Sequence, residues 1–478
     1  MLEGLEISVL NMSEVLNDNK TKRFDSEYYK KEFLKIDKNI ISSDYKRLVS
    51  LCEKITDFGA FSQNNFIEYK ENGSHYFIRN QDIENSFIKD DKIFIDKDVY
   101  EKLSLKLNEF DLLLQRTGSI GKSGLVLKKD LPSSANQNLA QIKPNLTKIN
   151  PYFLNVFLNS LIGQKIFERL ATGNVQPWLN LGQIESVKIP SLSEKFQLKI
   201  EEIVKSLFNK TQNSKTFYTQ AENILLEEIG LQNFVLSKEP VNVKSFKDSF
   251  VASGRLDAEY YQLKYEQVIN KIKSKPYDSL TNLVQIKKSI EPGSKSYAED
   301  GLPFMRVADL SKNGLSEPQK YISGYFVKEN QDKINDLKPK KGTILFSKDG
   351  SVGIAYHLRE NYNGITSGAI LHLNVKDESR IIPEYLTLAL NSKVVQMQAE
   401  RDAGGSIILH WRSSEIENVV VPIIDFEKQK QIADLIEESF SLKMQSEHLL
   451  DVAKRAVVIA IEENEENALE YIKTETNE

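Results

Sequence analysis

The chain has 478 residues, 63 Lys and Arg against 68 Asp and Glu, and 40% hydrophobic residues. At about 150 residues per domain this predicts roughly three compact units, with enough apolar material to exclude an intrinsically disordered chain. A single cysteine, Cys52, excludes an internal disulfide or a cysteine-based zinc cluster, and with no secretory signal or run of about 18 apolar residues in view the expected location is the cytoplasm.

The net charge of −5 is gathered at one end: residues 462 to 478 hold seven glutamates and one lysine. The remainder is nearly neutral and free to carry local basic faces.

Taken in chain order, the elements occur twice. Arg23-Phe24-Asp25-Ser26-Glu27-Tyr28-Tyr29 returns as Arg255-Leu256-Asp257-Ala258-Glu259-Tyr260-Tyr261, an offset of 232 residues. Gly118-Ser119-Ile120-Gly121 returns as Gly350-Ser351-Val352-Gly353, Asn159-Ser160 as Asn391-Ser392, and Ile184-Glu185 as Ile416-Glu417, all at the same offset. Pro151 and Pro190 reappear as Pro383 and Pro422. Such self-similarity predicts a tandem architecture. Phe77-Ile78-Arg79 matches Phe304-Met305-Arg306 at 227, so loop lengths differ between the halves there.

Within each half, the Tyr-Tyr segment is expected to be structural, joining a domain to its helices. Short β-branched and aromatic runs follow, such as Tyr76-Phe77-Ile78 and Lys92-Ile93-Phe94-Ile95, and read as strands of a mixed sheet. Pro151 and Pro383 suit helix first turns, and the segments running to Leu170 and Arg401 have helical apolar spacing. A Gly-containing loop and one more strand lead to Pro190 and Pro422.

Beyond those prolines the apolar period becomes seven. Ile200, Ile203, Leu207, Phe217 and Ile224 fall on one seam, and Ile432, Leu435, Leu442 and Leu449 on its repeat. The seam predicts a coiled coil between the two copies, with Ser214 and Ser446 in the same heptad slot as register-fixing polar residues. Helices of about 30 to 35 residues would span roughly 45 to 53 Å.

The fold class expected is α+β: two tandem mixed α/β domains separated by two long helices related by a pseudo-two-fold repeat. The boundaries are 1–190 and 241–422 for the domains, 191–240 and 423–461 for the helices, and 462–478 for an acidic tail. The tail is either disordered or a helix end with a minor docking role.

No catalytic constellation is found. Gly121-Lys122-Ser123 resembles the end of a phosphate-binding loop, but position 116 is Arg116 instead of glycine and the second copy reads Gly353-Ile354-Ala355. Asn150-Pro151-Tyr152 is one proline short of the adenine-methyltransferase motif and reads as a helix start. His75, His357, His372, His410 and His448 lack metal-ligand spacing, so no metal site is expected, and most of them are expected on the surface or in loops.

The repeat, the Arg-Leu-Asp-Ala-Glu-Tyr-Tyr segment, the Gly-Ser-Ile/Val-Gly turn after an apolar strand and the terminal heptads together resemble the specificity subunit of type I restriction-modification systems. The likeness covers nearly the whole chain. It implies two target recognition domains, each followed by a long helix, with the two helices packed antiparallel. It also implies a non-catalytic chain that reads a bipartite, asymmetric duplex target in the major groove, where every base pair is distinguishable. Two methyltransferase subunits and restriction/translocase subunits would be the protein partners, and S-adenosylmethionine, ATP and magnesium would reside on them. The exposed faces of residues 194 to 230 and 427 to 461 are the candidate methyltransferase docking surface.

Candidate DNA contacts come from polar turns. Arg79, Arg116 and Lys122 in the first half, and Arg306, Lys348 and Arg412 in the second, suit phosphate or guanine. Gln115, Thr117 and Ser119, with Ser347, Asp349 and Ser351, flank the repeated Gly-Ser turn, whose glycines equally serve a tight turn. Asn174 and Gln176, then Ser406 and His410, sit in loops that end in Trp178 and Trp411, both expected to pack the loop base. Asn136 and Gln137 form a third polar run. Two other readings are a specificity chain of a methylation-only or phage-defence complex, and a coiled-coil adaptor that binds no DNA.

Overall fold

A computed structural model describes residues 6–17, 23–59, 67–173, 175–237, 239, 241–405 and 407–476. The chain divides into two units that are not consecutive blocks: Met1–Lys210 with Met444–Glu478, and Thr211–Lys443.

In the first unit six strands follow the order Cys52–Asp57, Leu139–Pro144, Leu112–Gln115, Ser123–Leu125, Phe87–Ile88 and Ile83–Glu84. A second sheet sets His75–Ile78 between Ile93–Ile95 and Ser133–Ala135. In the second unit the main sheet runs Val284–Lys288, Ile370–Val375, Ile344–Ser347, Ala355–His357, and a smaller one runs Tyr297–Ala298, Tyr321–Ile322, Leu302–Met305, Ile365–Thr366. Antiparallel pairs dominate, but His75–Ile78 with Ser133–Ala135 and Leu302–Met305 with Ile365–Thr366 are parallel, which makes the sheets mixed. Leu112–Gln115 and Ile344–Ser347 are buried along their whole length, so they read as apolar runs without alternation.

Pro151 and Pro383 open helices as their fixed φ allows. These helices stop sooner than the apolar spacing suggests, at Asn159 and Asn391, and separate helices Leu161–Leu170 and Lys393–Asp402 follow. The repeated Asn-Ser pair is the cause. Ser160 and Ser392 donate to the carbonyls of Phe157 and Ala389, both at 2.7 Å, and the Ser160 hydroxyl accepts from the Gly163 N–H to cap the next helix. Asn159 and Asn391 each tie the helix to the neighbouring strand, donating to the Ser123 and Ala355 carbonyls at 2.9 and 2.8 Å.

The Arg-x-Asp-x-Glu-Tyr-Tyr segments are clasps. Arg23 and Arg255 grip Asp25 and Asp257 through two nitrogens each. They also donate to the ends of the helices above, Arg23 to the Ala171 carbonyl and Arg255 to that of Asp402. Their guanidinium groups lie over Tyr28 and Tyr260 at 5.0 and 4.5 Å.

Long helices cover Glu194–Glu228 and Phe426–Glu462. Within the first unit Ser193 meets Glu465 and Lys210 meets Gln445. Within the second, Ser214 meets Ser439 and Glu228 meets Lys428. Ascending numbers on one helix face descending numbers on the other, so the pair is antiparallel.

Ile200, Ile203, Leu207 and Ile432 are buried as the heptads require, while Phe217, Ile224, Leu435, Leu442 and Leu449 are half-buried. Val204, Ala221, Leu225, Ile436 and Leu450 are buried as well. The apolar face is therefore wider than a strict seam, because each helix also packs into the core beside its sheet.

The acidic tail is a helix, Glu465–Thr476. Ala468 and Ile472 are fully buried in the first unit's core, which excludes a disordered tail and explains the apolar residues spaced among its glutamates. No described helix is long and apolar enough to cross a membrane.

Candidate nucleic-acid interface

In the first unit four loop segments converge beyond the end of Leu112–Gln115. The Arg116 N–H donates to the Asn138 carbonyl (2.9 Å), the Asn80 side chain to the Thr117 carbonyl (3.0 Å), and the Leu179 N–H to the Arg116 carbonyl (2.9 Å). Asn136 joins the group by donating to the Ile78 carbonyl at 3.0 Å. The second unit repeats the arrangement: Lys348 N–H reaches the Ala369 carbonyl, Trp411 N–H the Lys348 carbonyl and Gly350 N–H the Leu409 carbonyl, each at 2.8 Å. Each half thus presents one composite edge built from a Gly-Ser turn and a second loop bridged to it at Thr117–Trp178 or Asp349–His410.

The turn glycines have φ of +75° and +82° at Gly118 and Gly121, and +73° and +81° at Gly350 and Gly353. L-residues avoid these values. A Cβ on Gly118 or Gly350 would meet nothing within 4 Å, whereas one on Gly121 would lie 2.6 Å from Phe167. The first glycine of each turn is therefore conformational, and Gly121 is also steric.

Burial divides the candidate contacts. Lys122, Ser119, Gln176, Ser351, His410 and Arg412 are exposed along these edges. Thr117, Asn136 and Gln137 are half-buried beside them. Asn174 and Ser406 lie outside the described residues.

Gln115 and Ser347 correct the sequence reading. Both end a strand covered on its two faces, and both are buried. The Gln115 amide donates to the Asn80 carbonyl at 2.7 Å, and Ser347 accepts from the Ile354 N–H at 2.9 Å.

The cations on the strand side of the turns are partnered. Arg79 forms a two-pronged ion pair with Asp82, whose hydrogen bonds raise the arginine pKa, and Arg306 stands 3.9 Å from Asp309 in the equivalent turn. Arg116 pairs with Asp57 and donates to the Leu179 carbonyl, and Lys348 pairs with Asp349. Asp349 also meets His410 Nδ1 at 2.9 Å.

Trp411 is 1% exposed and packs on Phe346, as expected of a loop base; Trp178 is 43% exposed and does not. The two are not equivalent: Trp178 aligns with His410 at the offset of 232, and Trp411 with the fully buried Leu179. One residue of displacement turns a side chain to the opposite face of an extended segment.

His357 and His372 are likewise buried, because they lie on strands instead of loops. Val175 and Ile407, at the same repeat position, are 99% and 95% exposed at the tips of the second loops. Composition gives no sign of this; only the fold shows that these aliphatic side chains stand almost fully exposed.

Residues 277–449 match the family model of the type I restriction modification DNA specificity domain. That stretch of the second half carries the specificity domain. The specificity domain so defined contains the turn at Gly350 and the loop carrying Ile407 and His410. Over a longer span, the chain is 22% identical across 358 residues to the type I restriction enzyme MjaX specificity subunit of Methanocaldococcus jannaschii, covering 73% of this chain and 76% of that protein.

Solved structures similar to the chain include the S subunit of a type I restriction-modification system from M. genitalium, at 13% identity over 90% of this chain and 95% of that one, with a TM-score of 0.40. Another is the HsdS subunit from Thermoanaerobacter tengcongensis, at 13% identity over 88% and 97% of the respective chains, with a TM-score of 0.29. The first half lies outside the matched specificity domain, but it carries the same turn, bridged loop and arginine clasp at an offset of 232.

Proposed function

We propose that the chain is the DNA-specificity subunit of a type I restriction-modification complex, and that each composite edge reads one part of a split, asymmetric target. The observation that carries this reading is the pair of equivalent edges, one of them inside a specificity domain, with different side chains on the same frame. Lys122, Gln176, His410 and Arg412 supply donors and positive charge for base edges and phosphates. Val175 and Ile407 supply apolar tips suited to thymine methyl groups. The paired helices fix the distance between the two words and carry docking faces for two methyltransferase subunits, with restriction subunits joining them. S-adenosylmethionine, ATP and magnesium act on those partners.

Exchange of residues 24–190 for those of a relative tests the assignment. Methylome sequencing of a host expressing the exchanged chain with its methyltransferase partner is expected to show one word altered and the other retained. A change in both words would contradict independent reading. Duplex binding by the complex is expected to weaken with salt as phosphate contacts release counterions, and salt-independent or absent binding would favour an adaptor instead.

A further inference from the structure

In the second unit the fold gathers three side chains that lie far apart in sequence. His357 ends the strand Ala355–His357, Glu384 is in the first turn of Pro383–Asn391, and Glu437 is on the helix Phe426–Glu462. One ligand atom from each lies within 4.8 Å of the other two, and His357 Nδ1 is 3.3 Å from Glu384 Oε1. His357 is 8% exposed, and its Nδ1 is buried without a hydrogen-bond partner. The histidine and Glu384 border a cleft of about 280 Å³, which has room for an ion and its water.

The first half shows what these positions do when they carry no ligands. At the offset of 232 they are Leu125, Tyr152 and Lys205. There the Lys205 ammonium lies 5.5 Å from the centre of the Tyr152 ring, so a cation–π contact joins the long helix to the domain. The second half lacks that Lys–Tyr contact and holds one nitrogen and two carboxylate donors in the same place.

We propose that His357, Glu384 and Glu437 bind a divalent transition-metal ion that staples the sheet of the second half to its long helix. An imidazole with two carboxylates and an open position for water is a zinc-type donor set, whereas calcium and magnesium take oxygen alone. Two ligands each about 2.0–2.1 Å from a tetrahedral ion stand roughly 3.3–3.4 Å apart, the separation His357 and Glu384 already have. Arg359 pairs with one oxygen of Glu437 at 2.7 Å, which leaves the other for the ion.

The full-length chain, stripped with chelator, is titrated with zinc chloride by calorimetry and its metal content measured. One ion per chain and a raised melting temperature are expected. The triple variant His357→Leu, Glu384→Tyr, Glu437→Lys installs the first-half residues and is expected to take up no ion. Absence of binding by the natural chain, or undiminished binding by a folded triple variant, overturns the proposal. If the triple variant fails to fold, X-ray absorption of the zinc-loaded natural chain decides. One imidazole with oxygen neighbours supports the site, and sulfur or no imidazole in the coordination shell overturns it.

Discussion

Ile407 is a side chain whose exposure is costly unless a partner covers it. Loss of about two buried methyl groups at about 0.8 kcal/mol each amounts to about 1.6 kcal/mol, so Ile407→Ser is expected to weaken duplex binding by about tenfold or somewhat more without changing the melting temperature. An unchanged affinity would remove the loop tip from the proposed reading edge.

His372 poses a different test. Its burial, beside Thr366 Oγ1 at 2.8 Å, pushes its pKa down to about 4. The unfolded chain, with an ordinary histidine pKa near 6.5, then binds more protons than the folded one between those values. Stability is therefore full above about pH 6.5 and falls as the pH drops towards 4, by about 2 kcal/mol between roughly pH 7 and pH 5 for this one group. Denaturant titrations of the natural chain and His372→Gln at the two pH values measure it; an equal slope for both would contradict the assignment.

At this scale the sequence was a partial guide. Residue type marked the polar turns, but whether Gln115, Ser347 or Trp178 faces water depends on how many layers cover its strand and on single-residue register, neither of which composition encodes.

At the scale of elements, the repeated landmarks prove to be joints. Asn-Ser ends one helix and begins the next, Gly-Ser-Ile/Val-Gly turns the chain at the composite edge, and the Arg-Asp-Tyr-Tyr segment locks a helix end. A common offset revealed them because each performs the same task twice. The helix break stayed hidden, since apolar spacing continues through Ser160 and Ser392 while the backbone does not.

The antiparallel direction came from the family likeness, and the contacts of both units bear it out. Ser439 donates to the Ser214 carbonyl at 2.8 Å and faces the Ser214 hydroxyl at 3.2 Å inside the helix pair. Ser439→Ala removes a buried hydrogen bond and is expected to cost about 1 kcal/mol of unfolding free energy by denaturant titration. No loss would mean that the serine pair has no part in fixing register.

On the scale of the whole molecule, the chain is one frame used twice with different side chains on its edges. The fold class and tandem plan were legible because a period of 232 residues is a long-range signal. The words proposed for the two edges are not, because loop side chains can serve several bases. Deleting matching heptads from both long helices is expected to shorten the gap between the words and leave the words themselves intact.

The most direct test is a hydroxyl-radical footprint of the chain with the proposed methyltransferase partner on a duplex carrying the motif found by methylome sequencing. Two protected blocks of different sequence, separated by a fixed stretch whose bases can be changed without loss of binding, are the expected result. A single uninterrupted block, or two blocks of the same sequence, would contradict the account.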